Sequence, residues 1–160
     1  MPADPTPPQE NPDGPAVPTP PPMIVLGGVA LAWILQQVFP VQLGPPAPEL
    51  GYIVICVGAA LSGWGLIALI RAGNDPRPDK PDAAFVPTGP FRFGRNPIYS
   101  GMVIMLTGIA LMWGSLWAWL AVGGVFIALD FGVVRREEAY LRLRFGQPYE
   151  DYCARVRRWF

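Results

Sequence analysis

Apolar positions along the chain gather into four runs separated by proline, glycine or charge. Met23 to Phe39 is uncharged and just reaches the lower limit of about 17 residues for a membrane-spanning helix, and Pro40 with the 44-GPPAP-48 stretch ends it. Gly51 to Ile70 holds 20 residues without a charge and closes at Arg71. From Asn96 to Leu129 come 34 uncharged residues. As one helix that run would measure about 51 Å against a hydrocarbon core of about 30 Å, so it must fold back. The break falls at Trp113, Gly114 and Ser115, with Trp117 and Trp119 supplying an interfacial aromatic belt.

This pattern predicts an all-α integral membrane bundle of about four transmembrane helices, near 23–39, 51–71, 98–113 and 116–134. A cytoplasmic tail, 135–160, follows. There Leu141, Phe145, Tyr149, Tyr152, Val156 and Trp159 recur at steps of three or four, interrupted by Gly146 and Pro148, as in short amphipathic helices lying on the membrane face. Gly58 with Ser62, Ala59 with Gly63 and Gly101 with Gly108 stand at helical spacings that permit close backbone approach. Residues 1–22 carry ten of the 21 prolines and no large apolar residue except Met1 and Val17, so they are expected to form a disordered, partly polyproline II tail outside the 23–160 membrane domain. With no basic residue, this tail is not a secretory signal.

Charge fixes the expected orientation. Only 15% of residues are charged, against about 25% in soluble proteins, and no Lys or Arg occurs before Arg71 or between Arg95 and Arg135. Four spans place all twelve Lys and Arg on one side, with both termini and the 72–97 loop, so the positive-inside rule puts the termini in the cytoplasm. An inner, bacterial-type cell membrane is the expected location, and the basic residues report topology and not a nucleic-acid partner. The chain has no histidine, which removes His-based general bases, Ser-His-Asp triads and HExxH zinc sites. Cys56 and Cys153 have no metal-ligand spacing, so no metal site is expected.

Two polar clusters remain, 89-GPFRFGRNPIYSG-101 opening the third helix and 135-RREEAYLRLRFG-146 leaving the fourth. The hairpin makes them neighbours. Arg95, Asn96 and Pro97 stand at a helix start whose unpaired N–H groups suit an anion. Asp130, an ionisable residue near the end of a span, is a functional suspect. At α-helical spacing Glu137, seven residues on, shares its face, while Glu138 is rotated by about 100°. Arg157 and Arg158 read as surface residues.

Gly89, Pro90, Phe91, Arg92, Arg95, Asn96, Pro97, Tyr99 and Gly101, followed by Glu137, Glu138, Leu141, Phe145, Gly146, Tyr149 and Tyr152, form a linked pair of motifs. The pair resembles the isoprenylcysteine carboxyl methyltransferase and phospholipid methyltransferase superfamily of membrane enzymes. Asn96 stands where the prenylcysteine branch has histidine. The resemblance implies an S-adenosylmethionine-dependent methyltransferase acting on a lipophilic acceptor: a prenylcysteine-like carboxylate, a lipid amine, a thiol or a small hydrophobic acid. It implies catalytic roles for Arg95, Glu137 and Glu138, and cofactor contacts from these with Arg92, Asn96, Pro97, Tyr99 and Gly101. Gly63 and Gly65 match a G-x-G of the phospholipid branch. Arginine suits the cofactor's carboxylate, glutamate its ammonium, and aromatic faces its sulfonium. The competing readings are a membrane reductase of the steroid-reductase type using a nicotinamide cofactor, and a non-catalytic module binding a partner. The lipid bilayer is the one partner the composition requires, and oligomeric state stays open.

Overall fold

The computed structural model describes residues 17, 19–75 and 83–160. The elements run α1 (Pro21–Val38), α2 (Pro48–Arg71), a 3₁₀ turn (Gly89–Arg92), α3 (Pro97–Trp113), α4 (Leu116–Leu129), a π turn (Asp130–Val134), α5 (Arg135–Phe145) and α6 (Gln147–Arg155). Among the described residues there is no β-strand, only a single bridge between Gln42 and Ser115. The expected all-helical membrane fold is what forms. Proline opens α1, α2, α3 and α6 within their first two positions, where a missing N–H costs nothing and the fixed φ favours a helix.

Three stretches are long and apolar enough to cross a membrane: Pro21–Val38, Pro48–Arg71 and Leu116–Phe145. The last is 30 residues long, so the helix expected to stop at 134 runs on through the π turn to Phe145, with no proline in it to break the turn ladder. α3, at 17 residues, is apolar but shorter. The hairpin turns where expected. Gly114 takes the left-handed conformation at φ +61, and the Ser115 hydroxyl accepts from the Trp117 amide at 3.2 Å to cap α4.

α2 packs along α3, and α1 along α4 and α3. The α2 seam is built from Gly51, Gly58 and Gly65, the three residues it buries. A Cβ on Gly58 would lie 2.6 Å from the Gly101 carbonyl, and one on Gly108 would lie 2.6 Å from that of Gly51. The close approach expected at Gly58, Gly101 and Gly108 is therefore present, while Ala59 is exposed and Gly63 has open space around its Cα. Another face of α2 turns outward, with Ile53, Val57, Trp64 and Ile67 exposed as a lipid-facing surface requires.

On the other side, Leu106, Val125, Leu129 and Val133 form a core against which Ile24, Val25 and Val29 pack. Val17 packs there too, and Pro20, Pro21 and Pro22 line the main cavity, so the 1–22 segment is not wholly without contacts. Residues 1–16, on which the expectation of a disordered tail mostly rests, lie outside the described residues.

Candidate functional site

The two polar clusters do meet, at the charged end of the bundle. Asn96 precedes Pro97, the first residue of α3, and α5 carries its acids past this point directly below the π turn. Glu138 is 1% exposed and receives two guanidinium groups. Arg95 donates from Nε at 3.0 Å and approaches with Nη2 at 3.0 Å, and Arg158 forks onto it from Nε at 3.1 Å and Nη2 at 2.8 Å. Arg95 also donates through Nη1 to the carbonyls of Cys153 and Val156, both at 3.1 Å, covering the end of α6 where carbonyls lack helical partners.

Asp130 joins the same network. Its Oδ2 accepts from Arg135 at 2.8 Å, and its Oδ1 accepts from the Trp159 indole at 3.1 Å and lies 3.6 Å from Arg158. Arg158 therefore bridges Asp130 and Glu138, and its bond to Glu138 holds its guanidinium even more firmly charged than usual. This corrects two expectations. Glu138, not Glu137, shares Asp130's face, because the π turn inserts one residue and rotates everything after it by about 100°. Arg158, expected at the surface, is built into the ionic network. No periodicity signals it, since 156–160 is not helical.

Glu137 is half-buried and accepts from the Tyr99 hydroxyl at 2.5 Å. Both line an open-sided cavity of about 510 Å³ between α2, α3, α5, α6 and the start of α1. Its charged pole is Arg95, Glu137 and Glu138; its apolar wall includes Leu66, Leu69 and Met102. Beside them stands an aromatic cluster in which Phe85 meets Tyr152 edge-on at 5.3 Å and Tyr149 at 5.8 Å. Tyr152 donates to the Phe91 carbonyl at 2.6 Å. Burial pushes both phenols well above their ordinary range, with Glu138 adding to the effect at Tyr149, so they are protonated, neutral surfaces at neutral pH. Asn74, buried, clamps the far rim by bonding both the amide and the carbonyl of Ala84 at 2.8 Å. Within this group only Phe85, and beside it the Asn74 clamp, have no spacing signal in the sequence.

Of the residues assigned a catalytic or cofactor-binding role from sequence, Gly63, Arg95, Asn96, Pro97, Tyr99, Glu137 and Glu138 line this cavity. Arg92 does not, its guanidinium lying 5.2 Å from the centre of the Phe93 ring. Gly65 is set against Ile98 and Pro97, and Gly101 against Gly58 and Ser62, so both serve the α2–α3 seam. A family model for phospholipid methyltransferase matches residues 47–148, most of the chain, both helices of the seam and both acids. The chain belongs to the phospholipid methyltransferase family. It is therefore a membrane methyltransferase in the general sense. A stretch of 62 residues is 34% identical to an uncharacterized protein of Haemophilus influenzae, covering 39% of this chain and 98% of that protein. No solved structure matches the chain.

Proposed function

We propose that this methyltransferase takes its methyl group from S-adenosylmethionine in the 510 Å³ cavity and passes it to a lipophilic acceptor that reaches the cavity from the bilayer. The observation that carries the reading is the two-sided lining: a charged pole at Glu137, Glu138 and Arg95 continuous with an apolar wall at Leu66, Leu69 and Met102. A volume of this order suits a drug-sized ligand. When bound, the cofactor supplies an electrophilic methyl group on a sulfonium.

The chain's residues fit such a group. Glu137, oriented by Tyr99, is the partner for its ammonium, and the faces of Phe85, Tyr149 and Tyr152 suit a sulfonium. Asn96 and Pro97 shape the wall at the head of α3. Arg95 has less to give a carboxylate than its type implies. Of the five N–H groups of a guanidinium, four are engaged by Glu138, Cys153 and Val156, leaving one Nη2 hydrogen for a ligand. Its main work is to hold the pole together.

A carboxylate acceptor would need orientation and no base, since alignment alone can supply much of the barrier reduction. An amine or thiol acceptor must also lose a proton, and with Glu137 held by the ammonium that proton would pass to solvent. We place both termini and this pole in the cytoplasm of a bacterial-type inner membrane, on the charge asymmetry. Isothermal titration of the purified protein with S-adenosylmethionine, and separately with NADPH, tests the reading. Binding of the first alone is the expected result, and binding of NADPH alone would replace the methyltransferase with a reductase.

A further inference from the structure

The family match ends at residue 148, so it gives no role to the segment that leaves α6. That segment, 156–160, has no regular structure and folds back across the charged pole, and each of its residues is used. The Val156 carbonyl accepts from Arg95 Nη1 at 3.1 Å, and the Arg157 carbonyl accepts from the Arg95 amide at 2.9 Å. The Arg158 carbonyl accepts from the Asn96 side chain at 3.1 Å, while the Arg158 guanidinium forks onto Glu138. The Trp159 indole bonds Asp130, its ring lying 4.8 Å from that of Phe126. Phe160 covers Gly94, where an added Cβ would stand 3.3 Å from the ring.

These contacts converge on two things, the Gly94–Asn96 approach to α3 and the Glu138 carboxylate. Gly94 and Arg95 lie outside any helix, and Asn96 is tied to α3 through its carbonyl, which accepts from the Ser100 amide at 2.9 Å. Glu138 is a buried carboxylate whose orientation is decided by which cations surround it. Arg158 ties both to Asp130 on the transmembrane helix. We infer that residues 156–160 are a strap that positions the Arg95–Pro97 wall and Glu138 for the cofactor, with Arg158 as its positioning residue; this rests on the cofactor reading above.

The test uses the full chain in detergent, with Arg158→Ala, Arg158→Lys and, as control, Arg157→Ala, whose side chain is exposed. Hydrogen exchange over residues 93–97 reads strap docking without any ligand, because the Arg95 amide is bonded to the strap. Titration with S-adenosylmethionine reads the site. Arg158→Ala is expected to speed that exchange and weaken binding about 30-fold, the low end for truncating one partner of a buried charge pair. Arg158→Lys should recover little, because lysine lacks the fork. Methylguanidinium added to the Arg158→Ala protein should restore part of both signals and leave the parent unchanged, which a general loss of stability would not produce. Should Arg158→Ala not fold, Trp159→Phe gives a milder form of the test, removing only the bond to Asp130, with faster exchange and weaker binding again expected.

Parental binding in a folded Arg158→Ala protein, with or without faster exchange, overturns the strap. A parent that binds no S-adenosylmethionine overturns the cofactor reading instead, and the strap's role in that site with it.

Discussion

Replacing each neighbouring glutamate by its neutral isostere should separate a residue that holds the structure from one that meets the ligand. Glu138→Gln leaves the volume unchanged and removes the anion from between Arg95 and Arg158, pointing an NH₂ group at donors. Breaking a buried ion pair from one side costs about 3–5 kcal/mol. Two features of the site lower that figure. The Arg158 side chain is 31% exposed, so water takes up part of its charge, and Arg95 keeps its bonds to Cys153 and Val156. About 2–3 kcal/mol remains, or roughly 5–10 °C in Tm for a chain of this size. Glu137→Gln still accepts from Tyr99 and is half-exposed, so its stability should change by under about 1 kcal/mol while S-adenosylmethionine affinity falls at least about tenfold. Thermal unfolding in detergent, paired with titration on the same samples, measures both. A Glu137→Gln protein that melts as early as Glu138→Gln would refute the assignment of the buried structural acid.

Gly101→Ala drives a methyl group against Ser62 and the Gly58 backbone and should cost about 1–3 kcal/mol. Gly124→Ala, with open space around its Cα, should instead gain about 0.5–1 kcal/mol from helix propensity, both read as Tm shifts. The raised phenol pKa values of Tyr149 and Tyr152 set an alkaline limit, because above the ordinary phenol value near 10 the unfolded chain releases protons that the folded one keeps. Stability should be full below that pH and fall as pH rises past it; the Tyr149→Phe/Tyr152→Phe double variant, melted across the alkaline range, should show a shallower decline. Reporter fusions after residue 46 and after residue 160 should lie on opposite sides of the membrane, and a shared side would overturn the four-span orientation.

What the sequence made legible follows from how strong each physical signal is. Burial in lipid requires long uncharged runs, so the spans around α1, α2 and the α3–α4 hairpin stand out, and the Gly114 break is forced by length alone. Close helix approach requires glycine, so Gly58, Gly101 and Gly108 were readable, though the full row of Gly51, Gly58 and Gly65 needed the partner helix to reveal it. The motif residues that line the cavity were readable too. Two features were not. A residue in irregular backbone, such as Arg158, repeats with nothing, and its value comes only from where the chain returns. The π turn leaves no mark either, because Asp130, Phe131, Gly132, Val133 and Val134 also fit an α-helix.

That single turn decides which acid does what. Along Leu116–Phe145 the helix must first bury Val125, Leu129 and Val133 against the bundle, then offer acids to the charged pole. Continued at 3.6 residues per turn, it would bring Glu137 round to Asp130 and swing Glu138 aside. Arg158 would then bridge Asp130 to Glu137 in place of Glu138. One added residue rotates the acids by about 100°, giving Glu138 to the arginines and leaving Glu137 at the cavity with Tyr99. π turns occur mostly as single insertions near functional positions because they cost hydrogen-bond geometry that a purely structural helix has no reason to give up. Here the return on that cost is specific: two adjacent glutamates, indistinguishable by residue type, are divided into one that two arginines hold and one that Tyr99 bonds at the cavity.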